Sequence, residues 1–158
     1  MRVWVNGTFD VLHLGHIRLL KYAASLGELR VGIDTDQRVK RLKGESRPIN
    51  NIFDRMFYLR NLKAVDYVLY FDSDLDLEKC ITWSGATIMV KGSDYRGKSI
   101  TGSQYCEDIK FFNLVQNYST SKIIEDINNP IQHDHKTFLK GKTKIKCKTF
   151  FVCNRQLL

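Results

Sequence analysis

The sequence predicts a doubly wound α/β fold, a parallel five-stranded sheet with helices on both faces. Strand-like and helix-like segments alternate along the chain, several strand-like runs are apolar on both faces, and 158 residues suit one domain. The first strand is expected over 2–6 (Arg-Val-Trp-Val-Asn), a β-branched and aromatic run ending at Gly7. Residues 12–26 carry Leu12, Ile17, Leu20, Ala23, Ala24 and Leu26 at helical spacing, with Gly27 as the expected C-terminal cap. A second strand follows over 29–33, and then a polar, basic stretch over 37–48 that reads as loop.

Residues 51–62 repeat helical spacing through Ile52, Phe53, Met56, Phe57, Leu59 and Leu62, and 65–71 (Val-Asp-Tyr-Val-Leu-Tyr-Phe) is a strand. A helix is expected over 74–83, where acidic residues in the first turn suit the helix dipole. Strands over 86–90 and 109–115 and a closing helix over 119–127 complete the domain. Right-handed crossovers gather the loops after the strands at one sheet edge, where ligands bind if strand order reverses. The expected ligand-binding segments are therefore 7–16, 34–48, 91–95 and 117–120.

The charge is uneven. The chain carries a net +8, but residues 128–158 hold seven basic residues against Asp134 alone, a net +6, so the first 127 carry only +2. The domain is thus expected to end near 127, followed by a basic extension over 128–158, either an edge strand or a disordered arm touching phosphates nonspecifically. The expectation is a solvated appendage with no specific nucleic-acid partner. With 43% hydrophobic and 27% charged residues the chain is globular, and no apolar run approaches the roughly 20 residues of a membrane helix. The N-terminus lacks the pattern of a secretion signal, and the four cysteines form no C-x-x-C. A cytoplasmic protein with reduced thiols and no bound structural metal is the expectation.

The chemistry concentrates after the first strand. Gly7-Thr8-Phe9-Asp10 leaves it, and His13-Leu14-Gly15-His16 opens the first helix. Residues three apart share a helical face, so both histidines can address one ligand at a helix N-terminus, where free N–H groups favour anions. Gly15 between them lets a phosphate or base approach the backbone closely. Further on stand Lys40-Arg-Leu-Lys43-Gly-Glu-Ser-Arg47-Pro48, Lys91-Gly92-Ser93-Asp94-Tyr95 and Ser119-Thr120-Ser121-Lys122-Ile-Ile124.

On these motifs and their order, residues 2–127 resemble the HxGH-motif nucleotidyltransferases, a Rossmann-like superfamily, in its cytidylyltransferase-like branch. The nearest likeness is to the ADP-heptose synthase adenylyltransferase domain, and the next to glycerol-3-phosphate cytidylyltransferases. The chain departs from the pattern at Asn117-Tyr118, where relatives have a glycine, and at Ser121 in place of a threonine. The resemblance implies that His13, His16 and Lys43 are catalytic, acting on the transferred α-phosphate. It implies nucleotide binding by Gly7, Thr8, Phe9, Asp10, Gly15, His16, Lys91, Gly92, Asp94, Ser119, Thr120 and Ser121, and acceptor binding by Arg47 and Arg55. Mg²⁺ is expected with the triphosphate, Asp10 being an outer-shell candidate, and a phosphorylated sugar or polyol as acceptor; relatives are often homodimers. The activity implied is nucleotidyl transfer with pyrophosphate release, ATP with heptose 1-phosphate ahead of CTP with glycerol 3-phosphate. A non-catalytic nucleotide-binding module is the competing expectation.

Overall fold

In the computed structural model, residues 1–113 and 119–129 are described. Strand β1 (Arg2–Gly7) leads to α1 (Leu14–Ala24), β2 (Glu28–Asp34), α2 (Asp36–Lys43), α3 (Ile52–Arg60), β3 (Tyr67–Phe71), α4 (Asp74–Ser84), β4 (Ile88–Gly92), β5 (Asp108–Phe112) and α5 (Thr120–Asn128). Two single-turn 3₁₀ segments, Ser93–Tyr95 and Ser103–Tyr105, connect β4 to β5. The five strands are all parallel in the order β3-β2-β1-β4-β5. The chain winds outward from β1 through β2 and β3, then crosses back to β4 and β5, so strand order reverses between β1 and β4. Their carboxyl ends, Gly7 and Gly92, flank the crevice that such a reversal opens.

Alternation along β1 sorts its side chains onto two cores. Val3 and Val5 join Leu20, Ala23 and Leu59 under α1 and α3, while Trp4 joins Leu77, Ile81 and Met89 under α4. All five helices begin with a side chain that accepts a hydrogen bond from a backbone N–H in the first turn: His13, Thr35, Asn51, Ser73 and Ser119. Among the described residues, no helix is long and apolar enough to cross a membrane.

Three expectations are corrected. The stretch expected as loop contains helix α2: Val39 is its one buried residue, so hydrophobic periodicity is silent there. Its ends were nonetheless marked by Thr35 as N-cap, Asp36 in the first turn, Lys40, Arg41 and Lys43 in the last, and Gly44 beyond. Helix α1 ends at Ser25 rather than at Gly27, which instead lies against the Met1 carbonyl. Finally, Arg55, expected to bind an acceptor, has no exposed surface. Its guanidinium donates to the Asn50 carbonyl (3.1 Å), the Thr8 carbonyl (2.8 Å) and Asp36 Oδ1 (2.6 Å), bracing α3 against α2 and the turn after β1. The fifth strand is described to Phe112. Its expected continuation through Val115, the extension over 130–158 with His133, His135, Cys147 and Cys153, and Asn117-Tyr118 lie outside the described residues. Cys80 and Cys106 are free thiols, as expected for them.

Two stability effects follow. A Cβ at Gly32, in the middle of β2, would lie 2.4 Å from the buried Trp4 ring and 3.1 Å from Phe71, so Gly32→Ala should cost about 1–3 kcal/mol. Arg55→Met removes the partner of Asp36 and leaves the Thr8 carbonyl bare, which should cost about 3 kcal/mol. Urea denaturation midpoints check both; an Arg55→Met midpoint equal to wild type would show that the guanidinium braces nothing.

Candidate active site

The turn after β1 sets the site. Phe9 adopts a left-handed conformation (φ 48°), rare for a bulky residue, and its ring is buried beside Gly7. A Cβ on Gly7 would come within 3.3 Å of that ring, a tight contact that the glycine avoids. The turn directs the Asp10 carboxylate inward. There it accepts from Arg47 Nε (2.8 Å) and Nη2 (2.7 Å), and from the backbone N–H groups of Ile49 (2.8 Å) and Asn50 (2.8 Å). The loop after α2 is thereby fastened to the end of β1, with Arg47 held at its inner edge.

His13 is the N-cap of α1. Its Nδ1 accepts from the His16 N–H at 3.4 Å, which assigns the His13 proton to Nε2. The two imidazoles stack, with centroids 3.8 Å apart and planes inclined by 22°, and Phe9 backs the His16 ring at 5.0 Å. Both rings are held toward the neutral form. Burial lowers the pKa of His13, and His16 is lowered to about 4, first by burial and then by the charges of His13 and Lys43, against an opposing pull from the Val11 carbonyl. His16 Nδ1 is buried without a hydrogen-bond partner at normal geometry, and the ring lines the cleft of the site.

These rings face a cleft of about 660 Å³ between the ends of β1 and β4. Thirteen of the expected site residues line it: Gly7, Phe9, His13, Gly15, His16, Lys43, Arg47, Lys91, Gly92, Asp94, Ser119, Thr120 and Ser121. Three do not. Thr8 turns its hydroxyl to Asp34 Oδ2 (3.3 Å), Asp10 is spent on the loop after α2, and Arg55 is buried behind it. Lys43, the last residue of α2, has its pKa lowered by burial and then by Arg47, with Asp34 and Asp10 pulling the other way. Lys91 is lowered to about 8 by burial, against the opposing pull of Asp34 and Asp94, and its Nζ donates to Asn6 Oδ1 at 2.7 Å. Asn6 was not foreseen, although a polar residue inside the apolar first strand is a signal in itself. Ser119 Oγ accepts from the Lys122 N–H (3.1 Å), which leaves its hydroxyl hydrogen free to donate, and Thr120 Oγ1 donates to the Val11 carbonyl at 3.4 Å. Val5, Leu19, Val90 and Phe112 supply an apolar wall.

The arrangement therefore offers neutral N–H donors at one helix N-terminus, hydroxyls at another, and three cationic side chains between them. It suits an elongated polyanion with one apolar end.

Comparison with known proteins agrees with this geometry. Residues 4–126 match the family described as cytidylyltransferase-like. The Bifunctional protein HldE of a Nitratiruptor species is 46% identical over 124 residues, covering 78% of this chain and 27% of that protein. The Bifunctional protein HldE of Campylobacter concisus is 44% identical over 135 residues, 85% of this chain and 28% of that one. The chain thus spans about a quarter of the length of the curated relatives it matches. Among solved structures, the lipopolysaccharide core biosynthesis protein from Thermoplasma volcanium aligns with a TM-score of 0.57 at 28% identity, over 75% of this chain and 98% of that one. The family match runs from within β1 into α5 and so takes in every wall of the cleft: the chain belongs to the cytidylyltransferase-like family.

Proposed function

We propose that the chain is a nucleotidyltransferase that joins ATP and heptose 1-phosphate to give ADP-heptose and pyrophosphate. The observation that carries this reading is the stacked His13–His16 pair at the N-terminus of α1, set across one cleft from Lys43, Arg47 and Lys91. Family membership and the likeness to HldE proteins support it, as does the resemblance of the Lys91–Tyr95 and Ser119–Ile124 motifs to the ADP-heptose synthase domain.

A phosphate oxygen of the acceptor attacks the α-phosphorus in line. The bond from that phosphorus to the bridging oxygen of the β-phosphate breaks, and its electron pair leaves with pyrophosphate. The acceptor is already an anion, so positioning and charge stabilisation supply the catalysis. The imidazole N–H groups donate to the α-phosphate and leaving oxygens, Lys43, Arg47 and Lys91 offset charge, and Ser119–Ser121 hold the far phosphates. Mg²⁺ entering with the triphosphate would supply further charge neutralisation. Among the described residues no three His, Cys, Asp or Glu side chains are grouped to hold a metal, and the Asp10 carboxylate is committed to Arg47. Such an ion would be held by phosphate oxygens and water, and Asp94 is the carboxylate that the cleft wall would offer it.

Pyrophosphate release from ATP or CTP, each with heptose 1-phosphate and glycerol 3-phosphate, tests the reading. Release is expected to be fastest with ATP and the heptose phosphate. Preference for CTP and glycerol phosphate would reassign the substrates, and no release from any pair would leave a binding module. His16→Ala should lower kcat by about 10²–10³ while keeping its melting temperature near wild type. The pH dependence of stability carries a second signature. His16 titrates near 4 in the fold against 6.5 unfolded, so the unfolded chain takes up the proton first as pH falls. The stability this contributes is whole above pH 6.5 and lost between 6.5 and 4. Urea midpoints should fall across that window, and His16→Asn should flatten the fall.

A further inference from the structure

A second cavity, of about 310 Å³, opens on the other side of the Lys91 side chain. Its wall toward the cleft is common to both: Asn6, Gly7, Lys43, Lys91 and Tyr95 line the two cavities together. We propose that this second cavity holds the polyhydroxylated body of the acceptor and that Asp34, at the end of β2, is its specificity-determining residue. The proposal rests on the nucleotidyl-transfer reading above and assigns that reaction its acceptor class: a sugar or long polyol bearing one phosphate.

The charge distribution decides the orientation. A phosphate at the shared wall meets Lys43 and Lys91 and lies beside the site of the α-phosphate, so the carbon skeleton attached to it must extend away from the nucleotide. Beyond the shared wall the free positive charge ends. Arg38 is the one further cation lining the cavity among the described residues, and its charge is offset by two carboxylates. It donates to Asp34 Oδ1 (2.9 Å), Asp74 Oδ1 (2.5 Å) and the Asp72 carbonyl (3.4 Å). With one cation set against two carboxylates, this lining offers a ligand chiefly acceptor capacity and hydroxyls. Asp34 Oδ2 accepts only from Thr8 Oγ1, at 3.3 Å, and a carboxylate oxygen can accept more than one hydrogen bond. The exposed residues Ser99 and Thr101 add hydroxyls to the lining.

A second phosphate on the acceptor would face Asp34 and Asp74 and be repelled. An alkyl chain would cover the lightly used Asp34 Oδ2 without adding a donor to it. A row of sugar hydroxyls satisfies it. The exposed side chains of Leu42 (63% exposed) and Tyr95 (41%) give the C–H face of such a sugar an apolar surface. Glycerol phosphate, with two free hydroxyls, reaches less of this lining than a hexose or heptose phosphate does. Asp34 is also placed to be rigid: it is only 13% exposed and is pinned by both Arg38 and Thr8.

The test is steady-state kinetics of the full chain, read by pyrophosphate, on Asp34→Asn and Thr101→Trp. Asp34→Asn keeps the side-chain size and removes the anionic acceptor; Thr101→Trp fills the cavity from an exposed position on its lining. Each should raise KM for heptose 1-phosphate by roughly tenfold or more while KM for ATP stays within about twofold. Asp34→Asn should also narrow the preference for heptose phosphate over glycerol 3-phosphate by roughly tenfold. Should Asp34→Asn melt early through loss of its Arg38 pair, Thr101→Trp decides alone. An unchanged acceptor KM in Thr101→Trp, or an equal rise for ATP, overturns the proposal. A wild type that turns over no pair at all removes the reaction instead; the cavity is then judged by calorimetric titration of heptose 1-phosphate in the presence of α,β-methylene-ATP. Binding weakened roughly tenfold in Thr101→Trp upholds the cavity, and binding equal to wild type, or none in either protein, overturns it.

Discussion

A carboxylate with almost no access to water anchors the site. Asp10 is buried, and leaving its charge unpaired there would be prohibitive, so its oxygens are met by one guanidinium and two backbone N–H groups. Those donors all come from the loop between α2 and α3, some forty residues on in the chain. The bond therefore does more than satisfy a charge: it fixes the far wall of the cleft to the end of β1 and delivers Arg47 to the cleft. It also explains why the turn tolerates Phe9 in a left-handed conformation. The surrounding contacts hold that backbone where isolated sterics would not.

Behind this bond sits a second one of the same logic. Arg55 joins the Thr8 carbonyl, the Asn50 carbonyl and Asp36, so the same turn and loop are braced from the interior as well. The two pairs divide the labour between a face that meets the ligand and a face that never does. An arginine in the helix that follows a basic loop resembling a binding motif is read naturally as a ligand contact, and a single sequence carries nothing that separates it from a buried brace. Only the third dimension shows that Arg55 points backward into α2 while Arg47, eight positions earlier, pairs with Asp10 at the wall of the cleft.

Much of the rest was legible because hydrophobic burial writes a period into the chain. The strands of the sheet are apolar runs, and α1, α3 and α4 carry buried residues at helical spacing. Helix α2 was missed for the opposite reason: with Val39 alone inside, its stability comes from caps, end charges and the ion pairs of Arg38 and Arg41, not from a stripe. The site was legible where a motif concentrates unusual residues, as His13 and His16 do around Gly15. It was illegible where a role depends on long-range geometry, as with Asn6 under Lys91, separated by 85 positions.

The pairing of β1 with its two neighbours is unequal. With β2 it runs in register through six residues, from Arg2↔Glu28 to Gly7↔Ile33, but with β4 only Val3↔Ile88 and Trp4↔Met89 are matched. Past the second of those pairs the two central strands diverge, and the Asn6–Lys91 side-chain bond spans the gap that backbone bonds leave. The recess is thus not carved into the sheet by loops alone; it begins as a fork in the sheet itself. Whatever occupies the fork touches two blocks, β1–β2–β3 on one side and β4–β5 on the other, and so serves as mortar between them.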